Sequence, residues 1–579
     1  MVKKNLITTR LKVKKNNNLS DLFLGQWAVD YDHECLDNDI QNYHWDNRKL
    51  LHKDYLKVEK IYESFLPVLS DSLNRIHNVK KSERYWRILV GPWLGIWLQV
   101  IMDRWNSIMS LKDLDYKIET TFADHKNYDL SPIDTDSFLS MTSSDEFNHI
   151  LYSKIIKFTG FIKYHSCKDT IIGRDALPHK KNYVKKIRYF FKNLVCNIVN
   201  LACYKNKVVF IDSYLSLKDR LVLELSLYQL PSLLKNKVVI KYSKHNKNFR
   251  QDLDLLYEPQ SKFEEFALAQ LPEMIPRIFV EDYFETNKRI KKLIWPKSPK
   301  VIVAAVLIQN DHTKFWVSEK VENGSKLIIE QHGGNYGMGE FSFNESHELR
   351  VSDIYLSWGW QNDELKIRNI AHPKLKSKLK SSIDGGIYQI LMSLPRYSYR
   401  IYSVPIASQV YEYEKDQVLF SKSLNNELQK KLKVRLHSNL RGYDQAKRFK
   451  DMAPKINLTD TKKNIYEDIT QNRITVCTYN ATTILECIAA NIPTVMFWNP
   501  NHWELNKYSK PYFEALKKVD VLHDDPILAA KFINKNWDNI EDWWHMKETQ
   551  EVLLQFRNKY ALSKKNWKTD WIDAIKELR

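Results

Sequence analysis

From about residue 206 onward, short apolar runs alternate with segments of helical periodicity. The runs are continuously apolar or β-branched, which is typical of strands buried on both faces of a parallel sheet. They are Lys207–Leu215, Lys237–Tyr242, Val301–Ile308, Lys326–Gln331, Asp353–Trp358, Ile387–Leu394, Lys433–Ser438, Ile474–Tyr479 and Pro493–Trp498. The runs form two groups, one ending near residue 360 and one beginning near residue 385. This pattern predicts an α/β protein with two doubly wound parallel sheets that face each other across a cleft.

The N-terminal third follows a helical pattern. In Tyr55–Asn78 the apolar residues recur at close to 3.6 positions, which predicts a helix. Ser82 is a suitable N-cap for a second helix that carries the sequence RYWRILVGPW. Residues 104–200 are mixed and polar, and we assign no element to them. We therefore expect a mainly helical N-terminal extension beside the two sheets.

One stretch of this extension raises the question of a membrane helix. Ile88–Met102 has 15 residues and is interrupted by Gly91, Pro92 and Gly95, whereas a membrane span needs about 18 or more apolar residues. We expect a helix of the protein core. The alternative is a helix that lies on a membrane surface.

Composition limits the class of protein. Apolar residues make up 43% of the chain and aromatic residues 12%, which excludes a disordered chain. The 89 Lys and Arg against 70 Asp and Glu give a net charge of +19, which favours polyanionic partners without choosing among nucleic acid, anionic lipid and phosphorylated small molecules. The 6 cysteines show no zinc or disulfide spacing, and with no signal peptide they indicate the cytosol.

The few glycines are unevenly placed. The chain has 14, and Gly333, Gly334, Gly337 and Gly339 directly follow His332 in QHGGNYGMG, at the end of a predicted strand. Glycines there let the backbone approach a ligand, and their amides can bind an anion or a sugar hydroxyl. The spacing is not GxGxxG, so a dinucleotide site is not indicated. A histidine at this edge can act as general base; the alternative is a tight turn.

A second candidate site lies in TYNATTILECIAANIPTVMF, which has the pattern strand, turn, helix, strand. Asn480 is placed to cap a helix that includes Thr482 and Thr483. Amides and hydroxyls at a helix N-terminus attract an anion, and Glu486, one turn later, is placed to meet a ribose hydroxyl or a second charge. The alternative is an ordinary capped core helix.

A third candidate site is the predicted strand KVRLHS. Arg435 and His437 share one face of this strand because side chains alternate with period two. Two groups able to carry positive charge on a buried strand indicate an anionic partner such as a phosphate. The alternative is an edge strand at the surface.

These stretches, in this order, resemble the cytoplasmic GT-B glycosyltransferases of bacterial surface-polysaccharide synthesis. In several of those that use CMP-activated sugars, a strand ending in a His-Pro pair precedes a Ser/Thr pair that opens a helix. Here Ser438 follows His437 in place of proline, and Thr482 and Thr483 match the hydroxyl pair. QHGG is similar to the His-Gly loop of CDP-glycerol polymerases of the teichoic acid type, in which the histidine is a catalytic base.

The resemblance extends over nearly the whole chain. FLGQW, NYHWD, LNRIH and RYWRILVGPWL, together with EQHGGNYG, SDIYLSWGW, RLHS and NATTILECIAANIPTVMFWNP, are similar to a family of transferases encoded in O-antigen and other surface-carbohydrate gene clusters. This resemblance implies a mainly helical region over residues 1–200 on the acceptor side, a first Rossmann-like domain over 201–380, and a nucleotide-sugar-binding Rossmann-like domain with C-terminal helices over 381–579.

The resemblance also implies roles for residues. His332 would take the proton of the acceptor hydroxyl, with Glu330 or Glu340 as alternatives. The residues expected to bind the nucleotide and its phosphate are Arg435, His437, Asn480, Thr482, Thr483 and Glu486. Those expected to contact the acceptor or the sugar are Gly333, Gly334, Asn335, Tyr336, Trp498 and Glu504.

No metal and no cofactor beyond the nucleotide-sugar co-substrate are expected, because a helix dipole and cations can stabilise the leaving phosphate. A lone DxD, Asp134–Asp136, lies in a polar stretch. We expect direct displacement with inversion, and a retaining course is the alternative.

We therefore expect a cytoplasmic glycosyltransferase of O-antigen, capsule or lipopolysaccharide synthesis. Its donor would be a nucleotide-sugar, with a CMP-sugar favoured, its acceptor a glycan or a lipid-linked glycan, and its basic surface would contact the anionic inner face of the membrane. One alternative is a CDP-glycerol or CDP-ribitol type polyol-phosphate transferase. Another is a nucleic-acid-binding or scaffold protein, but the sequence has no recognisable nucleic-acid module and no basic stripe.

Overall fold

The computed structural model of the chain describes residues 3–13, 18–30, 39–124, 128–170, 196–197, 199–234, 242–363, 366–375, 379–438 and 443–579. The predicted strand Lys237–Tyr242 lies outside the described residues except for Tyr242, which is not in a strand.

A parallel central sheet is formed by the first group of predicted strands. Its order is β5-β6-β7-β8-β9, with β5 at Val208–Ile211, β6 at Val301–Ala304, β7 at Lys326–Glu330, β8 at Ile354–Ser357 and β9 at Ile367–Asn369. All residues of β5, β6 and β8 are buried, as expected for strands covered on both faces. The short strand β9 is not predicted from the sequence.

A second parallel sheet, the C-terminal sheet, follows in the chain. Its order is β12-β11-β10-β13-β14-β15, with β10 at Ile387–Ile390, β11 at Leu432–Arg435, β12 at Asn457–Leu458, β13 at Ile474–Cys477, β14 at Thr494–Phe497 and β15 at Leu522–His523. Strand order reverses between β10 and β13, and a reversal opens a crevice at the carboxyl ends of the two strands. The predicted α/β fold with two parallel sheets is confirmed.

The N-terminal helices are confirmed with longer bounds. Helix α1 spans Arg48–Ile76, α2 spans Glu83–Leu89 and α3 spans Gly91–Met109. The Oγ of Ser82 caps α2 by accepting a hydrogen bond of 3.2 Å from the amide of Tyr85. The apolar stretch Ile88–Met102 is buried in the core, mostly as α3. In the part of the chain that the structure describes, no helix is long and apolar enough to cross a membrane.

The N-terminal region also contains a sheet that the sequence analysis does not predict. Four parallel strands form this N-terminal sheet in the order β2-β1-β3-β4, with β1 at Lys3–Ile7, β2 at Ser20–Phe23, β3 at Lys117–Asp124 and β4 at Lys163–Thr170. Sequences such as KIETTFAD are not continuously apolar, so the pattern that identifies the other strands is missing here.

The remaining helices surround the sheets. They are α4 Thr135–Met141, α5 Asp145–Thr159, α6 Leu217–Ser226, α7 Lys247–Gln251, α8 Lys262–Met274, α9 Tyr283–Lys291, α10 Asp311–Glu322, α11 Phe343–Val351, α12 Val410–Ser423, α13 Asn426–Lys431, α14 Gln445–Met452, α15 Ile465–Thr470, α16 Thr482–Ala489, α17 Lys510–Lys518, α18 Pro526–Asn536, α19 Ile540–His545, α20 Lys547–Tyr560 and α21 Trp567–Glu577.

The Trp-rich tail packs as helices on a core, as predicted. Helix α21 returns from the C-terminal half of the chain to the central sheet, where Trp571 is fully buried in a cluster with Val208 and Val301. The indole nitrogen of Trp571 donates to the carbonyl of Ala371 at 3.1 Å. The end of the chain therefore ties the two sheets together.

Candidate active site

The segment QHGGNYGMG leaves the carboxyl end of β7 and is held in place from below by Gln331. Its Oε1 accepts from the amide of Trp358 at 2.9 Å and from the indole of Trp360 at 2.8 Å, and its Nε2 donates to the carbonyl of Gly333 at 2.7 Å. Gly337 has φ +70°, and a Cβ there would lie 2.3 Å from the Trp360 ring. The loop thus has one defined path.

This loop meets the start of α16, so two predicted sites from different sheets are in direct contact. The amide of Gly334 donates to Oγ1 of Thr482 at 3.0 Å. A Cβ on Gly334 would lie 2.2 Å from the carbonyl carbon of Ala481. Glycine is required at 334 because two backbones touch there.

Asn480 does not cap α16, contrary to the prediction. The N-cap residue is Ala481, which offers no side-chain hydrogen bond. The Nδ2 of Asn480 instead donates to Oδ1 of Asn335 across the cleft at 3.4 Å, while its own Oδ1 is buried without a partner in the structure. The first amides of α16 are therefore left without a side-chain cap, which suits a bound anion.

His332 lies between the two sheets, with 20% of its side chain exposed. Its Nε2 is 3.2 Å from the hydroxyl of Tyr336, and its Nδ1 is 3.6 Å from Oε1 of Glu348. Burial lowers the pKa of His332 to about 4, against the pull of Glu330. Burial raises the pKa of Glu348 well above its ordinary value. The imidazole is thus uncharged at neutral pH and able to accept a proton.

Glu330 and Glu340, the predicted alternatives to His332 as general base, occupy different surroundings from His332. Glu330 is fully buried, where its Oε1 accepts from the amide of Tyr214 at 2.8 Å and its Oε2 lies 3.4 Å from Nε2 of His372. Glu340 is exposed, and its amide donates to the carbonyl of Glu504 at 3.0 Å. Glu330 therefore supports the floor of the site.

Glu486 lines a cavity of about 440 Å³ between the central and C-terminal sheets. Its Oε1 accepts from the hydroxyl of Tyr466 at 2.7 Å and lies 3.4 Å from the ammonium of Lys374. Lys374 also donates to the hydroxyl of Tyr214 at 2.6 Å. Burial raises the pKa of Glu486. Glu486 thus lies beside the ammonium of Lys374. It is also near the His332 loop, since Tyr214 contacts both Lys374 and the ring of His332.

The structure gives Arg435 partners within the fold. Its Nη1 lies 3.2 Å from Oδ2 of Asp468, and its Nη2 donates to the carbonyls of Thr461 and Lys463 at 2.9 Å. Arg435 thus has an anionic partner inside the fold, and its contact with a phosphate stays a prediction. It holds α15, which carries Tyr466. His437 lies two residues beyond the end of β11, at the carboxyl edge of the sheet, and is half-buried.

Trp498 and Glu504 lie in the segment that closes the site from the C-terminal side. Trp498 is buried against Trp503 and Phe513, with ring centroids 5.9 and 6.1 Å away, so it packs within the protein. The carboxylate of Glu504 forms a two-fold ion pair with Arg48 of α1 at 2.6 and 2.8 Å. Glu504 therefore joins the C-terminal side of the cleft to α1.

One residue of the cleft is missed by the sequence analysis. Arg400 lies in the loop PRYSYRIYSVP after β10, with its guanidinium 4.2 Å from the ring centre of Tyr402 and 4.9 Å from that of Tyr399. Its charge contributes to the lowered pKa of His332. The sequence does contain a signal for Arg400, because an Arg- and Tyr-rich loop directly follows a predicted strand.

The DxD pair has a structural role. The Oδ1 of Asp134 caps α4 by accepting from the amide of Ser137 at 2.8 Å, as part of a capping box. Over the described ranges, no group of three or more His, Cys, Asp or Glu residues is placed to hold a metal ion.

The family model of the LIC12162 family transferases matches residues 4–575, which is almost the whole chain. The chain belongs to the LIC12162 family of transferases. The loop QHGGNYG, the start of α16 and the N-terminal helices all lie within the matched range. No curated protein matches this member of the family.

Two solved structures are similar to this LIC12162 family member. MurG of Acinetobacter baumannii is 10% identical, with a TM-score of 0.33, over 64% of this chain and 99% of that one. The trehalose-6-phosphate synthase OtsA is 10% identical, with a TM-score of 0.30, over 57% of this chain and 80% of that one.

Proposed function

We propose that this LIC12162 family transferase is a glycosyltransferase. It moves a sugar from a nucleotide-activated donor to a glycan or lipid-linked glycan of the bacterial surface, in O-antigen, capsule or lipopolysaccharide synthesis. The observation that carries this proposal is the contact between Gly334 and Thr482. It brings an uncharged histidine at the edge of one sheet next to an uncapped helix N-terminus at the edge of the other.

The donor nucleotide lies at the carboxyl edge of the C-terminal sheet. The free amides at the start of α16, with the hydroxyls of Thr482 and Thr483, take the phosphate, since a helix N-terminus favours negative charge. His437 at the same edge adds a hydrogen bond to the phosphate. Glu486 and Lys374 face the ribose or sugar in the neighbouring cavity. No metal ion is required in this proposal.

His332 acts as the general base. The acceptor hydroxyl gives its proton to the imidazole while its oxygen forms a bond to the anomeric carbon, and the bond from that carbon to the phosphate oxygen breaks with inversion. The nucleotide leaves as a phosphate stabilised by the start of α16. The hydroxyl of Tyr336, 3.2 Å from Nε2, keeps the ring in position.

The acceptor enters from the side of the central sheet. A second cavity of about 440 Å³ lies there, beyond the ends of β5 and β6. Its lining includes Asp212, Ser213, Arg220 and Asn310. Such carboxylate, hydroxyl, guanidinium and amide groups suit the many hydroxyls of a glycan.

A CMP-sugar is the favoured donor because a histidine at a strand end followed by a hydroxyl pair at a helix start resembles that group of enzymes. In a polyol-phosphate transferase the same hydroxyl would attack phosphorus instead of carbon. The products separate the two, since a CMP-sugar and a CDP-polyol both release CMP but only the second adds phosphorus to the acceptor.

The net charge of +19 supports reversible contact with the anionic cytoplasmic face of the membrane, at about 1 kcal/mol for each well-placed Lys or Arg. Sedimentation with vesicles containing anionic lipid should show binding at low salt that is lost as salt rises. No binding at low salt contradicts this part of the proposal.

The proposed activity is tested by thermal shift against CMP, CDP, UDP, GDP and dTDP. A ligand present at 100 times its Kd stabilises the native state by about 2.7 kcal/mol. We expect CMP to raise the melting temperature of the wild type, and to do so equally in His332→Gln, which leaves the nucleotide side intact. A protein that responds to none of the five nucleotides contradicts the proposal.

Turnover is then measured by release of the nucleotide from the donor that the shift identifies. His332→Gln is expected to lose two to four orders of magnitude in kcat. His545→Gln, in the exposed last turn of α19, is the matched control and should keep wild-type turnover.

A further inference from the structure

We infer that Arg400 binds the anionic group of the ligand in the cleft, and that the N-terminal region of the chain positions it. This inference rests on the proposed function and adds the cation that the sequence motifs do not supply. The ligand group is an oxyanion. It belongs either to the phosphate of the donor or to the carboxylate of an acidic sugar.

The place of Arg400 in the fold is where a ligand is expected. Its loop leaves the carboxyl end of β10, and the turn that opens α16 leaves the end of β13. These are the two strands between which the order of the C-terminal sheet reverses, which is the usual ligand crevice of such a sheet. Arg400 and the start of α16 therefore flank one crevice.

The side chain of Arg400 lacks a counter-ion. Within the described residues no carboxylate lies within 4 Å of it, and its Nε is buried without a hydrogen-bond partner. Its neighbours are the rings of Tyr399 and Tyr402, which hold a guanidinium by its faces. The Arg400 side chain is half-buried and also hydrogen-bonds the side chain of Tyr402, but it has no carboxylate partner in the described part of the chain, so its charge is available to an anion.

The loop of Arg400 is joined to the loop of His332. Ser342 and Tyr402 form an antiparallel bridge, and the amide of Phe341 donates to Oγ of Ser403 at 3.1 Å. The two loops therefore lie side by side, and an anion bound at Arg400 lies close to the proposed base.

The N-terminal region fixes the backbone on both sides of Arg400. Oε1 of Gln99 in α3 accepts from the amide of Ile401 at 2.6 Å, and Arg104 donates to the carbonyl of Ser398 at 2.6 Å. Both side chains are buried. Contacts from α3 thus fix the backbone that positions the guanidinium of Arg400.

A second anchor lies at the start of α5. Asp145 accepts from the hydroxyl of Tyr397 at 2.6 Å and forms an ion pair with Arg396. We assign Gln99, Arg104 and Asp145 as positioning residues that act through the loop on Arg400.

The test measures binding of cytidine, CMP, CDP and free N-acetylneuraminic acid by calorimetry, in the wild type, Arg400→Gln and Arg400→Lys. The control is Arg289→Gln, an exposed arginine of α9. We expect Arg400→Gln to weaken binding of the anionic ligand tenfold or more and Arg400→Lys to weaken it less. The melting temperature of unliganded Arg400→Gln should stay close to that of the wild type, because the substitution breaks no ion pair among the described residues.

The ligands identify the source of the oxyanion. A loss for CMP and CDP but not for cytidine assigns Arg400 to the phosphate, and a loss for the sugar acid alone assigns it to the carboxylate. Both support the inference. Equal binding of CMP by the wild type and Arg400→Gln, with no difference for the sugar acid, overturns it while the proposed function stands. A wild type that binds none of the four overturns both.

Positioning is tested by a double mutant. Asp145→Asn should weaken anion binding in the wild-type background but cause no further loss in Arg400→Gln, because the two changes act through one group. Additive losses contradict the assignment of Asp145.

Discussion

At the residue scale, Gly334 is the point where the two halves of the site touch. A Cβ there would meet the backbone of Ala481 at 2.2 Å, whereas a Cβ on Gly333 would meet no atom nearer than 3.8 Å. Neighbouring glycines of one loop therefore provide a matched pair. A comparison of alanine substitutions at the two positions separates the effect of close backbone contact from the effect of reduced backbone flexibility.

We predict that Gly334→Ala forces the loop away from α16, breaks the bond from Gly334 to Thr482, and costs about 1–3 kcal/mol of stability. Turnover should fall at least tenfold. Gly333→Ala should keep turnover within about twofold and stability within about 0.5 kcal/mol of the wild type. Urea unfolding and nucleotide release measure the two quantities, and equal effects of the two substitutions contradict this reading of the contact.

His332 gives a prediction for the dependence on pH. Because burial lowers its pKa to about 4, the imidazole is uncharged and able to accept a proton at every pH well above 4. The acid limb of kcat/KM that belongs to this residue should therefore lie near pH 4 and not near the ordinary histidine value of about 6.5. A limb near 6.5 that disappears in His332→Gln contradicts the environment described.

Sequence reasoning correctly places His332 and its glycines just after the carboxyl end of β7, because a buried apolar strand precedes them. It wrongly assigns the cap of α16 to Asn480 and does not reveal the partner of Arg435, because both residue types allow several roles. Only the positions of Asn335 and Asp468, distant in the sequence, decide between these roles.

At the scale of elements, α15 is a short helix whose place depends on Arg435. The guanidinium joins β11 to Asp468 of α15 and to two carbonyls, and Tyr466 of the same helix reaches Glu486. Arg435 thus affects the cavity through the position of a helix.

We predict that Arg435→Gln destabilises the protein by about 1–3 kcal/mol and weakens nucleotide binding only modestly. The substitution removes the cation beside Asp468, whose carboxylate keeps, among the described residues, only the hydrogen bond from the Tyr388 hydroxyl. Tyr466→Phe, which removes the hydroxyl at Glu486, should leave stability within about 1 kcal/mol. Thermal unfolding and CMP titration of both variants provide the test. If Arg435→Gln leaves stability unchanged but strongly lowers the affinity for CMP, Arg435 contacts the phosphate directly.

Most strands of the central and C-terminal sheets are predictable because both faces are buried, so their sequences are mainly apolar. The short edge strands β9, β12 and β15 have too few residues to show this pattern. The N-terminal sheet is not predictable in this way. Its strands mix polar and apolar positions, and the partners β1 and β3 are separated in the chain by β2 and helices α1, α2 and α3.

At the scale of the whole molecule, the N-terminal region binds to both other parts. Arg84 of α2 pairs with Asp353 beside the central sheet at 2.7 Å. Arg48 of α1 pairs with Glu504 and donates to Oε1 of Gln409 at 3.0 Å on the C-terminal side. The cleft is thus bridged by a third body, and no sequence pattern indicates this bridging.

We predict that Arg48→Ala lowers stability by about 2–4 kcal/mol, because it leaves the carboxylate of Glu504 without its partner in a partly buried site. The neighbouring exposed Lys49→Ala should have an effect below about 0.5 kcal/mol. Differential scanning calorimetry of both variants measures this. Equal melting temperatures of the two contradict the bridging role.

Hydrogen–deuterium exchange of the intact protein with and without CMP tests the central claim most directly, because it locates the ligand without knowledge of the acceptor. We expect slower exchange in three segments together: 332–340 after β7, 395–406 after β10 and 478–489 around the start of α16. Arg400→Gln should lose the protection of the second segment. Protection elsewhere, or in only one of the two sheets' loops, contradicts a shared site between the sheets.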